Sequence, residues 1–184
     1  MSLSCETVPT LSRYTVGVMG SGTAEHDELA HDVGELIADL GVNLLTGGGG
    51  GVMTAVSRAF VARPGRRGIC IGIIPCAGEI DRVTPKPGYP NRFVELPIFT
   101  HLPRSGREGT DDLSRNHINV LTCAAIVALP GEQGTASEVT LALRYRKPIV
   151  AYAPTADLVR HFPEPVERLD RLDRVAEFLR RYIR

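Results

Sequence analysis

One feature of this 184-residue sequence limits its fold more than any other: short apolar runs alternate with stretches of helical period. Tyr14–Met19 reads as a first strand. A helix over 25–40 follows, with Leu29, Val33, Leu36, Ile37 and Leu40 on one face and Gly41 as its terminator. Val42–Thr46 is a second strand, Val52–Val61 a short helix, and Ile69–Ile74 a third strand stopped by Pro75. The stretch 76–110 is rich in Pro, Gly and charge, and reads as loop around one short strand near Arg92–Leu96. Further on come a helix over 112–123, a strand Ala125–Leu129, a helix Thr135–Tyr145 and a strand Pro148–Ala151. A charged amphipathic helix over 165–182 closes the chain, with Val166, Leu169, Leu172, Val175, Phe178 and Leu179 on its apolar side. Strands this short and continuously apolar suit a parallel sheet covered on both faces. Their alternation with helices predicts a Rossmann-like, doubly wound α/β fold in three layers, α/β/α, with six or seven strands. A single domain is expected over 13–184, with 1–12 as a flexible lead-in.

Composition narrows the classes of function. Twenty-one basic and 21 acidic residues cancel, so no net charge draws the chain to a nucleic acid polymer or a membrane surface. The same balance leaves little repulsion against self-association. The longest apolar runs, such as Ile69–Pro75, are too short to span a bilayer. The cysteines Cys5, Cys70, Cys76 and Cys123 form no C-x-x-C pair and lie at no zinc spacing. No metal and no cofactor are therefore expected. Cys70 and Cys123 sit in apolar runs and read as core side chains in a reducing compartment. No basic region precedes a long apolar stretch at the start of the sequence, so a cytoplasmic setting is expected.

In a doubly wound sheet, ligands bind beyond the carboxyl ends of the strands. Three glycine-rich loops fall there. Gly20-Ser21-Gly22-Thr23 follows the first strand, with hydroxyls at Ser21 and Thr23. A tight strand–helix turn accounts for those glycines equally well. The second loop is Gly47, Gly48, Gly49, Gly50 and Gly51, followed by Val52 and Met53. A mere turn needs one or two glycines, and this run opens a helix whose N–H groups and dipole attract an anion. It lacks the Lys-Ser/Thr of a Walker loop and the spacing of the dinucleotide fingerprint. The third loop is Pro130-Gly131-Glu132-Gln133-Gly134-Thr135-Ala136-Ser137-Glu138. Gly131, Gly134 and Thr135 can shape a phosphate cradle with Glu138 facing a reacting carbon. Spacing alone favours a plainer reading, in which Thr135-x-x-Glu138 is a capping box. Arg115, in Ser114-Arg115-Asn116, reads by itself as a solvated side chain in the first turn of a helix, where its charge is not favoured.

Together these motifs resemble the LOG family, the cytokinin-activating phosphoribohydrolases often mislabelled lysine decarboxylases. The likeness is closest to the wider bacterial branch that includes the molybdenum cofactor carrier proteins. It runs from about Tyr14 to Tyr152 and rests on Gly47–Met53, on Ser114-Arg115-Asn116, and on Pro130–Glu138 followed by Lys147-Pro148. The family motif P-G-G-x-G-T-x-x-E is matched except at Glu132. The resemblance implies a catalytic pair, the arginine of an M-x-x-R-K motif and the glutamate closing the glycine motif, which fall on Arg115 and Glu138. It also implies a homodimer and a nucleoside monophosphate or nucleotide-like small molecule as ligand. Here the arginine motif lacks its methionine, and Asn116 replaces its lysine.

Three functions follow as expectations. The first is hydrolysis of the N-glycosidic bond of a nucleoside 5′-monophosphate to free base and ribose 5-phosphate. The second is non-catalytic carriage or sensing of a ligand such as molybdenum cofactor. The third is a structural or regulatory domain with a vestigial pocket. Retention of Arg115 and Glu138 argues for the first, and Glu132 with the altered arginine motif for the second.

Overall fold

The computed structural model describes residues 12–183, so the lead-in expected over 1–12 lies almost wholly outside the described residues. Seven strands form one sheet: β1 (Thr15–Met19), β2 (Asn43–Thr46), β3 (Cys70–Ile74), β4 (Leu96–Phe99), β5 (Ala125–Ala128), β6 (Ile149–Tyr152) and β7 (Glu167–Leu169). Their order is β4-β3-β2-β1-β5-β6-β7, and every neighbouring pair is parallel. Helices α1 (Asp27–Asp39), α2 (Val52–Ala62), α3 (Asn116–Thr122), α4 (Gln133–Arg144) and α5 (Leu172–Arg180) complete the fold. The Rossmann-like expectation holds.

The layering follows from side chains that alternate along each strand. Val16 and Val18 of β1, Leu44 of β2, Val127 of β5 and Val150 of β6 pack with α1, α2 and α5 on one face. Met19, Leu45, Ile126 and Ala128 face the other way, onto Val120 of α3 and Val139, Leu141 and Ala142 of α4. Both faces are covered at the centre of the sheet, so β3, β5 and the middle of β1, β2 and β6 are built of apolar residues and glycine. β1 pairs with β2 on one side and β5 on the other, and the winding reverses between β1 and β5. That reversal opens a crevice at the carboxyl ends of these strands.

Three expectations are corrected. The strand expected at Arg92–Leu96 lies at Leu96–Phe99, because residues 91–94 are a turn, with the Val94 N–H donating to Asn91 O (3.2 Å). The helix expected over 112–123 is shorter: Ser114 N–H closes a turn onto Asp111 O (2.8 Å), and α3 begins at Asn116. The helix expected over 165–182 splits into β7 and α5. Val166 and Leu169 have helical spacing, yet they pack on opposite sides of the sheet, which an extended segment achieves and a helix cannot.

Lys147 ties this frame together near α3. Its Nζ donates to Leu121 O (2.7 Å) and Cys123 O (2.8 Å), a cation at the carboxyl end of α3. Lys147→Met keeps the stem and removes both bonds. The expected result is a loss of about 1–2 kcal/mol of unfolding free energy, discounted for partial exposure. Urea denaturation checks this, and an unchanged midpoint would refute the capping role.

Candidate functional site

A cleft of about 210 Å³ lies at the switch point. Gly20, Gly22 and Thr23 after β1, Gly47 after β2, Met53 on α2 and Glu132, Gly134 and Thr135 around the start of α4 all line it. The starts of α2 and α4 therefore border one space. The Val52 N–H donates to Ser21 O (2.9 Å), and the first bond along α2 is Ala55 N–H to Gly51 O (3.1 Å). Met53 and Thr54 are left without an intrahelical acceptor, and so, at the start of α4, are Gln133, Gly134 and Thr135 ahead of the Ala136 N–H to Glu132 O bond (3.0 Å). Their positive dipole ends favour an anion in the cleft.

The five glycines do more than open α2. A Cβ on Gly47 would overlap the Arg115 guanidinium, and one on Gly49 would overlap the Tyr89 ring. These two positions are bare because other side chains occupy the space. Gly47 lines the cleft; Gly48, Gly49, Gly50 and Gly51 do not. Nor does Ser21, whose groups are spent in joining loops. Its Oγ accepts from the N–H of Thr23 (3.1 Å) and Ala24 (2.9 Å), and its own N–H donates to Pro130 O (3.1 Å). Gly131 packs against Ser21 and lines a second, more open cavity with Arg107, Gln133 and His161.

Arg115 is the N-cap residue of α3, and its side chain runs under the sheet edge rather than into solvent. The residue is 5% exposed. Its Nη1 donates to Gly47 O (2.9 Å) and Ile73 O (2.8 Å), and its Cζ lies 5.5 Å from the centre of the Tyr89 ring. The buried Nε has no partner. The nearby acid Asp111 bonds Arg104 (2.9 Å) rather than Arg115. Burial pulls the guanidinium below its ordinary value, while Tyr89 and Glu138 hold it up.

Glu138 is 9% exposed and lines the same cleft. The capping-box reading fails: α4 begins at Gln133 with Glu132 as N-cap, which places Thr135 inside the helix. Glu138 turns to α3, where its Oε1 accepts from Asn119 Nδ2 (2.8 Å). Asn119 Oδ1 is buried without a partner. Burial pushes the Glu138 carboxyl above the carboxylate range, against the downward pull of the Asn119 donor and the Arg115 charge. Side chains 23 positions apart in sequence thus line one cleft.

Sequence reasoning missed Tyr89, Ser105 and Gly106, which line the cleft from the stretch read as loop, and Asn119, which holds Glu138. The Asn119 signal was present as an amide at helical spacing from Arg115, facing a core of apolar neighbours. Asn116 and Glu132, noted as departures from the family motifs, both line the cleft. Among the described residues, no group of three or more His, Cys, Asp or Glu is placed to hold a metal ion. No helix among them is long and apolar enough to cross a membrane.

Comparison with known proteins places this geometry in a family. The molybdenum cofactor binding protein of the phototrophic bacterium Rippkaea orientalis is 28% identical, with a TM-score of 0.66, covering 95% of this chain and 100% of that one. The molybdenum cofactor carrier protein of Chlamydomonas reinhardtii is 27% identical, with a TM-score of 0.66, over 92% of this chain and 97% of that one. An uncharacterized protein of Archaeoglobus fulgidus is 29% identical over 159 residues, 84% of this chain and 91% of that protein. The resemblance to LOG-like proteins, on the branch with molybdenum cofactor carriers, holds. The model of the SLOG cluster4 family matches residues 13–179, and this chain belongs to that family.

Proposed function

We propose that this protein binds a phosphorylated, nucleotide-like ligand in the cleft between β1 and β5 and carries it without turnover, with molybdenum cofactor as the ligand class. The observation that carries this reading is Arg115: a buried guanidinium with an unpartnered Nε, beside a cleft bordered by the starts of α2 and α4. Phosphate oxygens would take the N–H groups of Met53, Gly134 and Thr135, and the Arg115 charge would add to the field. The carrier and binding proteins with 27–28% identity over more than nine-tenths of this chain support the choice of ligand. The homodimer implied by the LOG-like resemblance, and the cytoplasmic setting expected from the start of the sequence and its cysteines, belong to the same reading.

A second reading, hydrolysis of a nucleoside 5′-monophosphate, is favoured by one observation: Glu138 shares the cleft with Arg115. In that reaction the water oxygen bonds to ribose C1′. The C1′–N bond breaks, its electron pair leaves on the base, and the water proton passes to Glu138 or to the base. The carboxylate would stabilise positive charge on the ribose or activate the water, and Arg115 would orient the substrate.

The two readings separate in one experiment. The purified protein is titrated with AMP, GMP and neopterin monophosphate, a fluorescent phosphorylated pterin, and the mixtures are scored for free base. A carrier binds the pterin and releases no base, whereas a hydrolase accumulates adenine or guanine. If none of the three binds at millimolar concentration, both readings fall.

A further inference from the structure

We infer that Tyr89 is the residue that selects for a flat heteroaromatic ring, stacking against the base or pterin of a ligand whose phosphate lies at the helix starts. This inference rests on the phosphate-binding reading of the cleft and names what the remainder of the ligand must be. Among the described residues that line the cleft, Tyr89 carries the only aromatic side chain. The rest of the lining is glycine, hydroxyl, amide, charge and the aliphatic Val18, Met19 and Met53. An aromatic face in such surroundings offers one kind of recognition that the others lack, a stack with another π-system.

The placement of Tyr89 is built rather than incidental. It comes from the long excursion between β3 and β4, whose outer part is exposed at Ile80 and Val83. That excursion is pinned to the glycine run by Asn91, through its backbone N–H to Gly48 O (2.7 Å) and its Nδ2 to Gly49 O (2.9 Å). The Tyr89 N–H is held by Lys86 O (3.1 Å). The ring then lies where a Cβ on Gly49 would be, beside the Arg115 guanidinium. A bare Gly49 admits the ring, and two bonds from Asn91 keep it there. Met53, Gly134 and Tyr89 line one cleft, so a ligand whose phosphate takes the N–H groups at the helix starts has the Tyr89 ring within its reach.

The test compares ligands with and without a ring. AMP, GMP and neopterin monophosphate carry one, and ribose 5-phosphate does not. Calorimetric titrations are run on the wild type and on Tyr89→Phe, Tyr89→Leu and Tyr89→Ala. Tyr89→Ala should weaken the ringed ligands by roughly 5- to 150-fold, the range of one base–aromatic stack. Ribose 5-phosphate should bind all four proteins within about twofold. Tyr89→Phe should behave as the wild type, because the ring face is kept. Tyr89→Leu, which keeps bulk against Gly49 and Arg115 but has no π-face, should behave as Tyr89→Ala. If Tyr89→Leu restores binding of the ringed ligands, the side chain only props Arg115 and the inference is wrong. Equal losses for ringed ligands and ribose 5-phosphate overturn it too, by assigning Tyr89 to the phosphate end. If the wild type binds ribose 5-phosphate but gains nothing from a ring, the inference fails while the phosphate site stands. If the wild type binds no phosphorylated probe, the parent reading fails and this one with it.

Discussion

Gly51→Ala lowers the thermal midpoint of this protein by roughly 5–15 °C, taking strain and overlap together at the usual conversion for this chain length. Gly51 is the N-cap of α2 and has φ 59° and ψ −134°, a backbone conformation that side chains resist. That strain is worth about 1–3 kcal/mol. A Cβ there would also overlap the Ser21 carbonyl, which is backbone and cannot swing away. Ser21 O is the acceptor for the Val52 N–H, so relief of the overlap breaks the link between the first loop and α2. The reduced entropy of the unfolded alanine chain returns only about 0.4–1 kcal/mol. Gly50 is the control one residue away. It is exposed, its φ is not positive, and the nearest atom to its Cβ is Gly22 O at 3.1 Å. Gly50→Ala should shift the midpoint by less than about 3 °C. Thermal unfolding followed by circular dichroism reads both, and equal shifts at the two positions would refute the assignment of strain to Gly51.

Glu138→Gln should make the protein more stable at neutral pH. The carboxyl is pushed up by burial, so the folded state holds its proton more tightly than the unfolded state does. Between the unfolded value, about 4.3, and the raised folded value, the native state therefore binds more protons, and stability falls as pH rises. Above the folded value the full penalty remains; below about pH 4 it is gone, because both states are protonated. Glutamine has no proton to lose and can still accept from Asn119 Nδ2 through its amide oxygen. The variant should melt above the wild type at pH 7–8, and the two curves should converge toward pH 4. Each tenfold gain in proton affinity on folding is about 1.4 kcal/mol, or about 3–5 °C for a chain this long. A difference independent of pH would show that the Glu138 charge is not what costs stability. The same variant reads function. If the wild type cleaves a nucleotide, Glu138→Gln should lose at least roughly 100-fold in turnover while keeping its affinity for ribose 5-phosphate. Full activity would remove Glu138 from the mechanism.

The sequence by itself determined the architecture, because its signals are local and redundant. Every apolar run from Tyr14–Met19 to Pro148–Ala151 lies at or next to a strand, since strands covered on both faces need apolar residues throughout. The glycine loops were placed at the carboxyl edge for the same reason. Where a local signal had two readings, tertiary structure chose. Val166 and Leu169 are spaced for a helix, but the open edge of β6 offered hydrogen bonds and burial on two faces, and β7 formed instead. Thr135 and Glu138 are spaced for a capping box, but the helix starts two residues earlier, and the amide of Asn119 reaches Glu138 from another helix. Arg115 looked like a solvated residue because nothing near it in sequence could hold its charge. Its acceptors, the carbonyls of Gly47 and Ile73, lie 68 and 42 positions away and converge only once β2 and β3 are side by side. A buried charge is tolerable only where such partners have been assembled around it, and that assembly is a property of the folded chain.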